Sequence, residues 1–176
     1  MTHTDKTCYK KKKVGDKAKK VSSEEHEFAF CVAEDEYLDV DKDALLIDCG
    51  ATTHIVNDDK NFISLDDDFK PEDHYIELAD GSRSNGVAKK RGTVLVNITD
   101  ENGIVRKTKL NRTLYIPTYP QNIFSVQAAT QNGADVKFNK TSAELISSGV
   151  KFPIKKEGKL YYLYSASDSK SCSLEQ

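Results

Sequence analysis

The chain has 176 residues, room for one domain and some tail. Its hydrophobic fraction of 38% against 31% charged residues is polar without having the composition of a disordered polypeptide. A net charge of -2 excludes a global field that would dictate a strongly charged partner.

Charge is nonetheless uneven. Lys10, Lys11, Lys12, Lys13, Lys17, Lys19 and Lys20 form a basic head. Glu34, Asp35, Glu36, Asp39, Asp41 and Asp43 form an acidic stretch. Neither has the apolar content to fold alone, so residues 1–43 read as solvated linker. Cys8, Cys31, Cys49 and Cys172 show no regular spacing. With no signal peptide and no apolar run long enough to span a bilayer, a reduced, cytoplasmic setting without membrane contact is expected. The sequons at Asn97, Asn111 and Asn139 are then incidental.

From residue 44 onward the pattern is short strands broken by turns. Ala44-Leu45-Leu46-Ile47 reads as a short buried strand. Tyr75 to Leu78 predicts a strand closed by the turn Asp80-Gly81-Ser82, and a polar stretch from Arg83 to Lys90 follows. Thr93 to Ile98 alternates, placing Val94, Val96 and Ile98 on one face. Asp100-Glu101-Asn102-Gly103 is a hairpin loop, since Asn-Gly tolerates positive φ. Ile104 to Leu110 returns as a partly exposed strand carrying Arg106, Lys107 and Lys109, and Leu114-Tyr115-Ile116 is a strand ending before Pro117. Ser125 to Asn132 predicts a short helix, with Ser125 as N-cap and Gly133 just past the end. Strands resume at Asp135 to Phe138, Ala143 to Ile146, Val150 to Ile154 and Lys159 to Tyr164. The whole reads as an all-β, barrel-like domain over residues 44–164 with one short helix, followed by a Ser-rich, disordered tail over 165–176.

Asp48-Cys49-Gly50-Ala51-Thr52-Thr53-His54 follows the first strand. An Asp at the end of a buried strand with a Gly two residues on can turn tightly and face its carboxylate with backbone N–H groups. The same tetrapeptide is, in most proteins, only a turn. A second reading pairs Cys49 with His54 as an activated thiolate, but no orienting third group is evident.

This stretch, with Ile55, resembles the Asp-Ser-Gly-Ala-Thr/Ser-x-His motif of copia-type LTR retrotransposon proteases. Ala79-Asp80-Gly81-Ser82 is similar to their Ala-Asp-Gly turn. Leu114-Tyr115-Ile116-Pro117, Asn122-Ile123-Phe124-Ser125-Val126 and Gly158-Lys159-Leu160-Tyr161-Tyr162-Leu163 resemble further segments of that family in the same order. The resemblance implies a retropepsin-like closed β-barrel and an endopeptidase that cuts its own Gag-Pol polyprotein. Asp48 would be the catalytic aspartate, one from each subunit of a homodimer, in a loop formed by Cys49, Gly50, Ala51 and Thr52. The hairpin around Asp80, Gly81, Ser82 and Gly86, running to Gly92, would be a flap. Ile123, Phe124 and Ser125 would support the active-site loop. Where this chain has Cys49 the family usually has Ser or Thr, whose hydroxyl is expected to bond across the dimer interface; a thiol is a weak donor and acceptor. The alternative is a catalytically inactive, domesticated barrel that serves as a structural or binding module.

His3 and Cys8 have the His-x4-Cys spacing that closes a CCHC zinc knuckle. A structural zinc wants four ligands, so this half is read as a remnant that holds no metal, and no cofactor is expected. The lysines that follow would give weak, salt-dependent RNA contact.

Overall fold

The computed structural model describes residues 27–29, 41–78 and 80–166. Most of the linker segment, the half-knuckle of His3 and Cys8, and the tail beyond Ala166 lie outside the described residues. Strands make up half of the structure, with one short helix. In chain order they are β1 (Glu27–Ala29), β2 (Leu45–Asp48), β3 (Ile55–Val56), β4 (Phe62–Leu65), β5 (Tyr75–Leu78), β6 (Arg83–Asn85), β7 (Lys90–Thr99), β8 (Val105–Tyr115) and β9 (Asn122–Ser125). Then come α1 (Val126–Gln131), β10 (Asp135–Phe138), β11 (Ala143–Ser147), β12 (Val150–Glu157) and β13 (Leu160–Leu163).

Ten strands form one curled sheet in the order β10-β11-β12-β13-β2-β9-β3-β8-β7-β4. Its centre is parallel where β2 runs beside β9 and β3 beside β8, and antiparallel outward from there. A small sheet, β1-β5-β6, lies apart from it. The barrel is not closed, contrary to the sequence expectation. Closure needs the two end strands to meet, but they are β10 and β4, each of four residues, and they do not pair. The curl is pinned instead at one corner. Ile98 bridges Ser165, the Ala166 N–H donates to the Asn97 carbonyl at 2.6 Å, and the Glu101 N–H donates to the Lys151 carbonyl at 2.9 Å. Ser165 and Ala166, expected to begin a disordered tail, are therefore part of this corner.

The curl has a local cause in the β7–β8 ribbon. Its register shifts between Gly92 and Val94, and Arg112 sits opposite at a φ of 51°. Such a bulge bends a strand and increases its twist. Gly92 is required there because β4 passes so close: a Cβ would lie 2.1 Å from the Ser64 carbonyl oxygen and 2.9 Å from the Leu65 Cα. Beside it, the nearly buried Arg91 guanidinium bonds Asp66 at 2.7 Å and Asp68 at 3.2 Å, fixing the loop that leaves β4. At the far end of the ribbon the buried Asp100 carboxylate accepts from the N–H groups of Asn102 and Ile104 and from Arg106 Nε, each at 2.9 Å. Burial pushes its pKa up, but these hydrogen bonds outweigh burial and leave it below its ordinary value.

Two hydrophobic clusters lie on opposite faces of the central strands. Leu45, Val56 and Phe124 join Val94, Val96, Ile98, Leu110, Leu145, Phe152, Ile154 and Leu163 inside the curl. Leu46, Ile55 and Ile123 join Ile76, Ala88, Leu114, Ile116 and Tyr162 on the other side. Strands buried on both faces read as unbroken apolar runs rather than alternations, which is why Ala44 to Ile47 is continuous. The β5–β6 hairpin roofs the second cluster, through Ile76 at 2% exposure.

Because the obstacle at Gly92 is β4 backbone rather than a movable side chain, Gly92→Ala is expected to destabilise the fold by about 1–3 kcal/mol. Urea denaturation measures the loss, and amide exchange should show it concentrated in β4 and sparing β10 to β13.

Candidate functional site

The three buried or half-buried apolar residues Leu45, Leu46 and Ile47 fix β2 between β13 and β9 and deliver Asp48 at its carboxyl end. Asp48 is half-buried and stands opposite Ser125 of β9. Its Oδ1 accepts the Gly50 N–H at 2.7 Å and the Ala51 N–H at 3.2 Å. The carboxylate thus faces two backbone donors of its own loop, as the sequence reading expected. Gly50 does not reach this arrangement through a positive φ; the described glycines with positive φ are Gly81, Gly86, Gly103, Gly133, Gly149 and Gly158. What the loop uses from Gly50 is its N–H.

The rest of the loop is graded in burial. Cys49 and Gly50 are exposed, Thr52 is half-buried, and Ala51 and Thr53 are buried. The Thr53 hydroxyl donates to the Arg112 carbonyl at 2.8 Å, tying the loop to the bulge in β8. Ile123, Phe124 and Ser125, the predicted support, form β9 directly beside β2, with Leu46, Ile47 and Asp48 as their respective partners.

Ser125 is the junction of this site. It is fully buried, and its hydroxyl donates to the Ala51 carbonyl at 2.7 Å while accepting the Ala128 N–H at 3.0 Å. The same oxygen therefore caps α1 and holds the Asp48 loop. The Ser125 N–H donates to His54 Nδ1 at 3.1 Å. His54 is 2% exposed, with its ring 4.9 Å from that of Phe124. Burial holds its pKa down to about 4, so the ring is neutral near pH 7, and the bond to Ser125 assigns its proton to Nε2. The Cys49–His54 thiolate reading loses its base here, because the imidazole is buried and its Nδ1 is committed to Ser125 while Cys49 is exposed.

The predicted flap residues lie at the tip and base of the β5–β6 hairpin. Gly81 takes a φ of 81°, its N–H donates to the Leu78 carbonyl at 2.8 Å, and the Ser82 N–H donates to Asp80 Oδ1 at 2.8 Å. Hydrogen bonding from Ser82 holds the Asp80 carboxyl below its ordinary pKa. Gly86 closes the base, donating its N–H to the His74 carbonyl at 2.9 Å.

A residue assigned no role from the sequence, though it opens one of the resembling segments, also shapes the region. Asn122 at the start of β9 accepts the Asn57 N–H at 3.0 Å and donates to the Lys42 carbonyl at 3.2 Å, stitching the segments before β2 and after β3 to the support strand. Two cavities, of about 400 Å3 and 210 Å3, open elsewhere; the smaller has His54, Phe124 and Lys109 in its wall, and neither includes Asp48. Among the described residues no group of three or more His, Cys, Asp or Glu is placed to hold a metal ion. Among the described residues no helix is long and apolar enough to cross a membrane.

The fold and site define an all-β domain of curled-sheet type, with a carboxylate-bearing loop at the carboxyl end of its central parallel strand. Residues 45–134, half of the chain, match the Pol polyprotein, beta-barrel domain family, and the chain belongs to it. The match supports a retroelement Pol origin. Neither a curated protein nor a solved structure matches the chain. The matched segment spans β2 to the residue before β10 and so contains the Asp48 loop, the hairpin, β9 and α1.

Ser125→Ala removes the helix cap and leaves the Ala51 carbonyl without its hydroxyl donor. Loss of a cap is worth about 1 kcal/mol and an orphaned buried acceptor about 1–3 kcal/mol. A destabilisation of roughly 2–4 kcal/mol by urea or thermal unfolding is expected on those magnitudes.

Proposed function

We propose that this domain is a retropepsin-like aspartic endopeptidase of copia type, active as a homodimer in which two copies of Asp48 form the dyad and cleave the Gag-Pol polyprotein. The observation that carries this reading is the Asp48 carboxylate at the end of β2, accepting the Gly50 and Ala51 N–H groups, with Ser125 of β9 as its neighbour. Two such carboxylates about 3 Å apart cannot both ionise cheaply, so they share one proton and titrate as a pair. The ionised member takes a proton from a water held between them, and the protonated member polarises the scissile carbonyl. A half-buried Asp48 that lines neither of the two cavities described above fits a site completed by a second copy. The substrate is an extended polypeptide laid as a strand between barrel and hairpin. In that reading Asp80, Gly81, Ser82 and Gly86 belong to a flap, and Ile123, Phe124 and Ser125 support the loop. The setting is cytoplasmic, and the lysines upstream give weak RNA contact.

A second reading, an inactive domesticated module, draws on two observations. The hairpin is rooted in the second hydrophobic cluster through Ile76, and its β5 strand also pairs with β1, which restrains a flap. The exposed Cys49 stands where the family's hydroxyl would bond across the interface.

The test is to purify the chain, offer it peptides spanning junctions of its own polyprotein at mildly acidic pH, and compare Asp48→Asn. Loss of an acid–base group is worth about 10²–10⁴-fold in rate, so cleavage by the variant should fall at least 10²-fold. Cleavage that survives the substitution overturns the Asp48 dyad, and a chain that sediments as a monomer and cuts nothing favours the second reading. Cys49→Ser should tighten self-association, since each additional 1.4 kcal/mol across the interface is about tenfold in Kd; sedimentation at several concentrations measures it.

A further inference from the structure

We propose that His54 is a positioning residue for Asp48: by accepting the Ser125 N–H through an unprotonated Nδ1 it fixes the β9–α1 junction on which the Asp48 loop rests, and protonation of the ring releases that loop. The chain of contacts is short. His54 Nδ1 holds the Ser125 N–H at 3.1 Å, the Ser125 hydroxyl holds the Ala51 carbonyl at 2.7 Å, and the Ala51 N–H reaches Asp48 Oδ1 at 3.2 Å. Every joint between the imidazole and the carboxylate is a hydrogen bond, and Ala51, Ser125 and His54 are all buried, so water offers no ready substitute. The inference goes beyond the protease reading by naming what controls the loop, and it rests on that reading only for the consequence to catalysis.

The switch works in one direction. An imidazolium donates from both nitrogens and accepts from neither. A protonated His54 therefore presents an N–H to the Ser125 N–H, and the bond becomes a donor–donor conflict inside the fold. Burial keeps the ring neutral down to a pH of about 4. Lys109 of β8, an exposed residue, is the one charged side chain in the wall of the cavity that His54 lines. Phe124, Ala129 and Asn132 from β9, α1 and its cap, and Leu145 and Ser147 from β11, add no charge. The other ionisable group in the chain of contacts is Asp48 itself, whose protonation also weakens the Gly50 and Ala51 bonds. The sign follows from linkage. The released state binds the proton near the ordinary histidine value of 6.5 and the closed state only near 4. Closure is complete above pH 6.5 and is lost as the pH falls toward 4, by up to about tenfold in the opening constant per pH unit.

The experiment is amide exchange and imidazole nitrogen NMR on the full chain between pH 4 and 7, with His54→Asn, His54→Leu and Asp48→Asn. In the wild type the ring is expected as the Nε2–H tautomer at pH 7, with protection at Gly50, Ala51 and Ser125 falling together as the pH drops. His54→Asn places an amide oxygen near the position of Nδ1 and cannot titrate. It should keep the protection and lose its pH dependence. His54→Leu should lower protection at those three amides at least tenfold at every pH while sparing Val96 in β7. Asp48→Asn should leave the pH dependence in place. An Nδ1–H tautomer at pH 7, an unchanged pH response in His54→Asn, or a response that vanishes in Asp48→Asn overturns the proposal. The tautomer is read from the wild type, so an unfolded leucine variant does not rescue it. A chain that cleaves no peptide yet shows this coupling sinks the protease reading alone; an active protease without it sinks this one alone.

Discussion

The site depends on one pairing, the parallel contact of β2 with β9. Its register sets Asp48 against Ser125, and everything chemical in the loop is hung from that residue. Parallel neighbours require a long crossover between them. Here the crossover is the whole of β3 to β8, so the support strand lies more than seventy residues from the loop it supports. A local turn alone would let the carboxylate wander. The Ser125 hydroxyl and N–H instead tie the loop to a strand buried on both faces, whose Phe124 and Ile123 are each 2% exposed or less.

That double burial is the energetic basis of the arrangement. Fully burying a Leu, Ile or Phe side chain is worth about 1.5–3 kcal/mol. Leu45, Leu46, Ile55, Ile123 and Phe124 concentrate that gain around the loop, divided between two clusters. The polar atoms brought inside with them must then be satisfied. His54, Ser125, Thr53 and Asn122 do this through side chain to backbone bonds, those of His54 and Ser125 being fully buried and those of Thr53 and Asn122 part-buried. The resulting lattice is rigid where it meets Asp48 from below and open above, where Cys49 and Gly50 face solvent.

The strands with a clear period, or bounded by strong turns, were legible in the sequence. Val94, Val96 and Ile98 do share a face, Asn102-Gly103 does turn the ribbon, and Ser125 does cap a helix that ends before Gly133. The β8 strand was legible only as two pieces, because Asn111 and Arg112 break the apolar pattern where the bulge turns the chain. The strands β1, β3, β4, β6 and β9 were not recognised as strands, β1 lying in the segment read as linker and β6 in the polar stretch after Ser82. At two to four residues each they carry too little periodicity, and Ile123-Phe124 is buried on both faces, so it does not alternate. The openness of the barrel was illegible for a different reason: nothing local in β4 or β10 encodes whether two distant edges meet. The support of Asp48 by Ile123 to Ser125 was visible only through resemblance. His54 gave no periodic signal at all, and its hints were its place in the resembling motif and against Ile55 and Val56.

The boundary of the family match raises a question of where the folding unit ends. The match stops at Ala134, yet β2 has its other neighbour in β13, with Tyr162 against Leu46 and Leu163 against Leu45. Ala143, Leu145, Phe152, Ile154 and Leu163, all beyond the match, supply much of the cluster inside the curl. Without residues 135–166, β2 would become an edge strand, with one face of Leu45 stripped and its hydrogen-bonding groups open on one side. The Asp48 loop would then hang from an exposed edge rather than from the middle of a sheet. The physical unit that holds the carboxylate in place therefore reaches at least to Ser165, whose bridge to Ile98 draws the end of the described chain back onto β7.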